Sequence, residues 1–272
     1  MSAEATLSPT HTSMLKVLRR LTGETDLSIS PAKTMAAADY HYKKSSVVTA
    51  LSMLRAMYPK SQFYIDEMKK RSATQNIANA NQTPTEEAIA KSVDWDDLIT
   101  WRDAHMSELS PIEKLLICLY TMIAPVRADF TPMAIVASKP KKLAALTNYL
   151  VWNKTPYFFF HAYKTHDTYG DVRVNIPAPL KRVLSEWIAT HPGQTYLLED
   201  RGAPWLENRL TVAVQKIFQK HHQMDTTIMS LRHSYLTKYY TGMPLLSKMN
   251  KIAKSMMHSV VQGQKYRYPT LE

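Results

Sequence analysis

TPYFFFHAYKTHDTYGDVRVNIP, Thr155 to Pro177, is the stretch on which the reading of the fold turns. Its four consecutive aromatics, Tyr157 to Phe160, and the alternating run Val172-Arg173-Val174-Asn175 are strand formers, because ring and branched side chains suit a pleated, half-buried surface. Gly170 after the polar run His166–Tyr169 marks a turn between them. The stretch therefore predicts a β-hairpin near His166–Gly170, with Lys164 leading into it. TNYLVWN, Thr147 to Asn153, reads as a further strand just upstream, and together these segments predict one short antiparallel sheet.

Outward from this island the apolar spacing is helical. Upstream lie TSMLKVLRRL from Thr12, with residues up to His11 expected to fray, then PAKTMAAADYHYKK, SSVVTALSMLRAMY and SQFYIDEMKKR. In the third of these, Val47, Val48, Leu51, Leu54 and Met57 share a face, Ser45 and Ser46 are candidate caps, and Pro59 closes the helix. VDWDDLITWRDAHM follows, then SPIEKLLICLYTMIA, opened by Ser110-Pro111 and stopped by Pro125. Downstream of the hairpin come PLKRVLSEWIATHP, NRLTVAVQKIFQKH, LRHSYLTKYY and LLSKMNKIAKSMMH. The fold class expected is mainly α with a small antiparallel β-sheet. SATQNIANANQTPTEE, Ser72 to Glu87, carries only scattered apolar residues and reads as a linker, its alternative being a polar helix end. It divides a helical domain, residues 1–85, from a second domain, residues 86–272.

The chain has 272 residues, 45% of them hydrophobic, enough for one large or two moderate cores. Lysine and arginine number 34 against 23 aspartates and glutamates, a formal net charge of +11. That excess favours a polyanionic partner, nucleic acid first and an acidic membrane surface second. The one cysteine, Cys118 in LLICLY, forms no intramolecular disulfide and reads as a small buried hydrophobe in a reducing compartment. MSAEATLSPTHTS lacks an apolar signal core, and no stretch approaches the ~18 apolar residues that span a bilayer. A soluble, intracellular protein is expected, located wherever its target lies.

Four separated stretches belong together. IAPVRADF places Arg127 just after a helix-ending proline. The hairpin carries Lys164. SLRHSYLTKYY places Arg232 and His233 in the first turn of a helix. MMHSVVQGQKYRY, Met256 to Tyr268, holds His258, then Tyr266 and Tyr268 embedded among Lys265 and Arg267. In this order and spacing they resemble the tyrosine recombinase, or phage-integrase-like, family, most closely the divergent integrases of large DNA viruses and mobile elements. The resemblance covers Trp95 to Tyr268 well and the N-terminal helices loosely, as a core-binding domain.

The resemblance implies that Arg127 and Arg232 match the two family arginines, Lys164 the hairpin lysine, His258 the histidine before the nucleophile, and Tyr266 the nucleophile. Three departures stand out. Met229 occupies the position, three before the second arginine, where the family usually has histidine. MMHS replaces the common LGHS. The histidine-to-tyrosine spacing is eight for Tyr266 and ten for Tyr268, where nine is common, so Tyr268 is the alternative nucleophile.

The chemistry explains why such residues would be gathered. A tyrosine phenol ionises far more readily than an aliphatic alcohol, and nearby cations favour the phenolate. Two arginines grip non-bridging phosphate oxygens through paired N–H groups and stay charged at every working pH. A lysine on a hairpin can protonate the leaving 5′-oxygen, and a histidine can donate to a phosphate oxygen or accept from the tyrosine. A 3′-phosphotyrosine conserves bond energy, so rejoining needs neither ATP nor a cofactor, and the arginines supply the charge a metal would otherwise provide.

Taken singly, each residue has a plainer reading. Arg127 can cap carbonyls or pair with Asp129. Lys164 can be a solvated loop residue, His233 and His258 structural histidines, Tyr239 and Tyr240 packing residues, and Tyr266 a surface aromatic. Metal ligation is a competing use for His161 with His166, or His221 with His222, but neither pair sits with a Cys or carboxylate at a standard zinc spacing. Asp96-Asp97 lacks companions for a two-metal nuclease.

Read as a whole, the sequence predicts a two-domain clamp on double-stranded DNA, assembled as a homotetramer and acting as a site-specific recombinase or integrase. Lys43, Lys44, Lys69, Lys70 and Arg71 are candidate phosphate contacts, or else a solvated basic face. The alternatives are a type IB topoisomerase-like enzyme and a DNA-binding protein with impaired catalysis.

Overall fold

The computed structural model describes residues 7–80, 86–222, 225–240 and 246–259. The chain forms two compact units, Met1–Asn81 and Gln82–Glu272.

The first unit is four helices, α1 (Pro9–Thr22), α2 (Pro31–His41), α3 (Lys44–Met57) and α4 (Gln62–Ala80). α1 starts earlier than its apolar pattern suggests, because the Ser8 hydroxyl accepts from the His11 N–H and Pro9 supplies a preset φ at the first turn. Ser45 and Ser46 are not caps: Lys43 takes the N-cap position of α3, and both serines fall inside the helix. Leu15, Leu18, Leu27, Met35, Leu51, Leu54 and Tyr64 close a core of their own. The Tyr64 hydroxyl donates to the Leu27 carbonyl at 2.7 Å, which satisfies a phenol buried to 0% exposure. The expected linker is partly helix: Ser72–Ala80 continues α4 without a break. Its alanines and glutamine are good helix formers, and low apolar content hid the helical period, so the alternative reading, a polar helix end, holds for this part.

The second unit begins with α5 (Glu86–Ala90), α6 (Trp95–His105) and α7 (Pro111–Thr121). Asp94 caps α6, its carboxylate accepting from the N–H groups of Asp96 and Asp97. Ser110 and Glu113 form a reciprocal capping box at the start of α7. α7 is buried on nearly every side, Leu115 to Thr121 all lying in the core, and Cys118 is one of these packing residues, as its sequence context suggested. Burial pushes the Cys118 thiol up to about 11.

Four strands follow, β1 (Met133–Val136), β2 (Asn148–Val151), β3 (Tyr157–Phe160) and, after the short turn of helix α8 (His166–Tyr169), β4 (Val172–Asn175), hydrogen-bonded in that order. The sheet is mixed rather than wholly antiparallel. β1 pairs parallel to β2, Met133 opposite Asn148, while β2–β3 and β3–β4 are antiparallel. The sequence Ala137 to Thr147 is long enough to return the chain to the same end of the sheet, which parallel pairing requires. Gly170, at φ +64°, ends α8 by donating its N–H to the His166 carbonyl at 2.7 Å and turns the chain into β4.

α9 (Ala178–Thr190), the two-residue strands β5 (Glu199–Asp200) and β6 (Ala203–Pro204), α10 (Glu207–His222), α11 (Ile228–Tyr240) and α12 (Leu246–Ser255) complete the unit. One core holds the helices and sheet together, from Leu115 and Phe130 through Phe158 and Phe160 to Leu184, Phe218 and Leu231. A smaller cluster, Leu236, Tyr240 and Met256, seats the end of α12 on α11. No helix among the described residues is long and apolar enough to cross a membrane.

Candidate active site

The site is built around two arginines from separated stretches of the second unit. Arg127 follows the exit of α7. Its backbone is fixed from both sides: the Tyr120 hydroxyl donates to its carbonyl at 2.8 Å, and its N–H donates to Asp129 Oδ2 at 2.9 Å. The side chain is half-buried, and Nη1 is buried with no hydrogen-bond partner among the described residues. A buried guanidinium N–H in that condition costs free energy unless a ligand accepts from it.

Arg232 is the fifth residue of α11, one turn deeper than the sequence reading placed it, and is fully buried. Its Nη1 donates to the Pro125 carbonyl at 2.6 Å and its Nη2 to the Met256 carbonyl at 3.3 Å. One guanidinium thus ties the chain just before Arg127 to the end of α12. The planar fork of arginine suits this bridge, with donors diverging to two carbonyls from one charge.

His258 comes next. The α12 C-terminus closes with Met257 at φ +54°, and the His258 N–H folds back onto the Ala253 carbonyl at 3.1 Å. The turn buries the imidazole, whose Nδ1 faces the Ser259 carbonyl at 2.8 Å. Burial, then the charges of Arg232 and Arg127, push His258 down to about 4. The histidine is therefore neutral near pH 7, and both arginines are close enough to act on it. Asp129 belongs to the same group: burial holds its carboxyl above the usual carboxylate range, against the pull of the Arg127 N–H and of both guanidiniums.

Lys164 is exposed on the connection between β3 and β4 and lines the same open cleft as Arg127 and Asp129, a space of about 770 Å³ bordered on its other side by Trp205 and Glu207. Two side chains hold its loop to the arginine site. The Thr165 hydroxyl donates to the Met257 carbonyl at 2.8 Å, beside His258. Asn148, buried at the start of β2, donates through Nδ2 to the carbonyls of Asp129 and Ala162 at 2.8 and 3.0 Å. Its Oδ1 accepts from the N–H groups of His161 and Ala162, each at 2.8 Å. Arg127, Arg232 and His258 thus converge, with Lys164 on the rim. Tyr266 and Tyr268 lie outside the described residues.

The basic residues of the first unit divide. Lys69 and Lys70 are exposed on α4, Lys70 lying 3.9 Å from Glu67, and Lys43 is exposed at the start of α3; the side chain of Lys44 is not among those described. Arg71 is committed elsewhere. Its Nη1 and Nη2 donate to the two carboxylate oxygens of Asp39 at 2.8 Å each, and its Nε to Glu67 at 3.0 Å. That fork-on-carboxylate geometry serves the bundle, and three of its five N–H groups already have carboxylate acceptors.

Sequence reading missed the residues that orient the site. None of Asn148, Tyr120 and Trp205 was singled out. Trp205 borders the cleft with a buried Nε1 that has no partner among the described residues. Met229, where the family resemblance implied histidine, is 42% exposed.

This architecture, a helical unit followed by a mixed helical and sheet unit, is a tyrosine recombinase-like fold. The solved structure of XerH, a site-specific recombinase bound to its difH substrate in a pre-cleavage complex, superposes with a TM-score of 0.57 and 12% identity, over 94% of this chain and 73% of that one. The crystal structure of XerA recombinase is matched at a TM-score of 0.49 and 12% identity, over 96% of this chain and 86% of that one. No protein-family model matches the chain, and no curated protein sequence does.

Proposed function

We propose that this protein is a site-specific DNA recombinase or integrase, cutting and rejoining strands of double-stranded DNA through a 3′-phosphotyrosine. The observation that carries the reading is the convergence of Arg127, Arg232 and His258, from three distant parts of the chain, beside a cleft whose rim carries Lys164.

In this reading the scissile phosphate enters the cleft and accepts from the buried Arg127 Nη1. Arg232 adds charge from behind. The Arg127 grip strengthens as negative charge builds on the pentavalent phosphorus, and losing such a donor costs roughly 10²–10³ in rate. Tyr266, or Tyr268, attacks phosphorus through its phenolic oxygen; the P–O5′ bond breaks and Lys164 gives a proton to the departing 5′-oxygen. Neutral His258, its Nδ1–H given to the Ser259 carbonyl, accepts the phenolic proton at Nε2, and it donates to a phosphate oxygen only once so protonated. Rejoining reverses the step, with the 5′-hydroxyl displacing tyrosine. Lys43, Lys44, Lys69 and Lys70 are assigned to backbone phosphates. The assembly proposed is a homotetramer on two duplexes, as strand exchange between two sites requires, and residues 1–85 and 86–272 are its two DNA-clamping domains.

Nicked suicide duplexes, drawn from a randomised pool because the target sequence is unknown, trap a covalent adduct when the 5′-hydroxyl fragment diffuses away. The expected result is a detergent-resistant adduct lost in either Tyr266→Phe or Tyr268→Phe and slowed at least about 100-fold in Arg127→Ala. An adduct surviving in both tyrosine variants would overturn the nucleophile assignment. Supercoil relaxation without joining of two duplexes would favour the topoisomerase-like alternative.

A further inference from the structure

The loop carrying Lys164 holds a group of side chains that the recombinase chemistry does not use. His161 follows the end of β3, His166 opens α8 and Asp171 precedes β4, so the hairpin brings together residues spaced five apart. His161 Nδ1 lies 2.8 Å from Asp171 Oδ1, and His166 Nε2 lies 3.0 Å from the same oxygen. The three ligand atoms are all within 4.8 Å of one another. The two imidazole rings meet edge to face, at 72° with centroids 4.7 Å apart, so their nitrogens point to one place instead of stacking past each other.

From this arrangement we propose a binding site for a first-row divalent cation, Zn²⁺ foremost, formed by His161 Nδ1, His166 Nε2 and Asp171 Oδ1. Two imidazoles and a carboxylate suit zinc and its neighbours and do not suit magnesium or calcium, which prefer all-oxygen shells. With metal–ligand bonds of about 2.0–2.1 Å, tetrahedral donor atoms sit roughly 3.3 Å apart. The two contacts to Asp171 therefore need to open by up to about half an ångström, while the two imidazole nitrogens, within 4.8 Å of each other, close on the ion by rotation of the rings. Each imidazole turns a deprotonated nitrogen to the ion and carries its proton on the other ring nitrogen.

The ligands are held before any ion arrives. The His161 N–H is fixed by Asn148, the His166 N–H donates to the Tyr163 carbonyl at 3.1 Å, and the Tyr163 hydroxyl donates to the Gly170 carbonyl at 2.5 Å. Asp171 keeps its second oxygen for Lys139, 3.8 Å away, so one-oxygen ligation leaves that pair intact. Side-chain exposures of 24%, 30% and 38% for His161, His166 and Asp171 let an ion enter from solvent. Three protein ligands leave a coordination position open, on the side where both histidines line the cleft. Lys164 lies between the two histidine ligands in sequence, so an ion here fixes the path of the Lys164 loop. Sequence spacing hid the site because the carboxylate comes from across the hairpin.

The test needs neither DNA nor activity and so stands apart from the recombinase reading. Full-length protein stripped with EDTA is titrated with Co²⁺ and followed by its visible d–d absorption, then back-titrated with Zn²⁺. One equivalent per chain is expected, displaced by Zn²⁺, with affinity lowered about tenfold or more in His166→Ala and in Asp171→Ala, and unchanged in His221→Ala. No saturable absorption, or equal binding in all three variants, would overturn the proposal. Should the ligand variants fail to fold, imidazole NMR resonances of the wild type decide: Zn²⁺ must shift those of His161 and His166, and shifts confined to other histidines refute the site.

Discussion

Asn148 and Asp129 are joined by a 2.8 Å hydrogen bond from the Asn148 carboxamide to the Asp129 carbonyl, and that bond fastens the arginine segment to the Lys164 loop. The same side chain makes three further bonds, to the backbones of His161 and Ala162. All its capacity as a two-donor, two-acceptor group is used, inside a buried position with 1% exposure. Asn148→Ala leaves two N–H and two C=O groups without these partners and is expected to cost about 2–4 kcal/mol, read from urea unfolding. Asn148→Asp keeps the shape but replaces both donors with an acceptor and buries a charge, so it should be no better than alanine. A loss below about 1 kcal/mol for both variants would show that the carboxamide does not organise the two segments.

How legible this was differs by level. Helices with a strong apolar face, such as α1 and α9, could be read directly, since burial of Leu15 and Leu18 or of Leu180 and Leu184 follows from the 3.6-residue period. The aromatic run Tyr157–Phe160 announced β3 equally well. β1 and its parallel pairing were not foreseen, because MAIV is short and its partner is set by a connection whose route no local pattern encodes. The α4 extension was lost for the opposite reason, a helix with too few apolar residues to show a period. At the site, ordered motifs gave Arg127, Lys164, Arg232, His258 and Tyr266 as a set; the first, third and fourth lie close together, Lys164 is on the rim, and Tyr266 is outside the described residues. Asn148, Tyr120 and the His161–His166–Asp171 group act through contacts across the sheet or between segments, which spacing along the chain does not carry. The Arg71 pairing with Asp39 was not legible either, because a basic cluster looks alike in sequence whether it faces solvent or grips a carboxylate.

Glu113 joins the N-terminus of α7 to α10. Besides its capping box with Ser110, it accepts from Lys220 at 2.9 Å and faces His221 Nε2 at 3.1 Å. Burial opposes its ionisation, yet the bonds from Lys220, the Ser110 N–H and hydroxyl, and His221 outweigh that and bring the carboxyl down to about 2. A depressed carboxylate contributes stability above its ordinary value of 4.5 and loses it as pH falls toward 2. Glu113→Gln retains a side chain able to cap but drops the charge, so a loss of about 1–2 kcal/mol at pH 7 is expected, shrinking as pH falls below 4.5. Denaturant midpoints of the two proteins across that range check it; a gap that does not narrow would remove the ionic bond from the account.

His258 titrates with the opposite sign of charge but the same sense of pH dependence, in a higher window. Burial and the two arginine charges lower it from its ordinary 6.5 to about 4 in the folded chain. Between those values the unfolded chain binds more protons than the folded one, so stability falls as pH drops from 6.5 toward 4, by up to about 3 kcal/mol from this residue. His258→Gln, which cannot take up a proton, should lose stability less steeply over that range. A bound phosphate has the reverse influence, since its negative charge offsets Arg127 and Arg232 and favours the imidazolium. A phosphate-containing ligand in the cleft should therefore raise the histidine's pKa, followed as the imidazole carbon-proton shift against pH with and without a short duplex. Parallel pH profiles of wild type and His258→Gln, together with a histidine shift indifferent to DNA, would separate His258 from the arginines and remove it from any role at the phosphate.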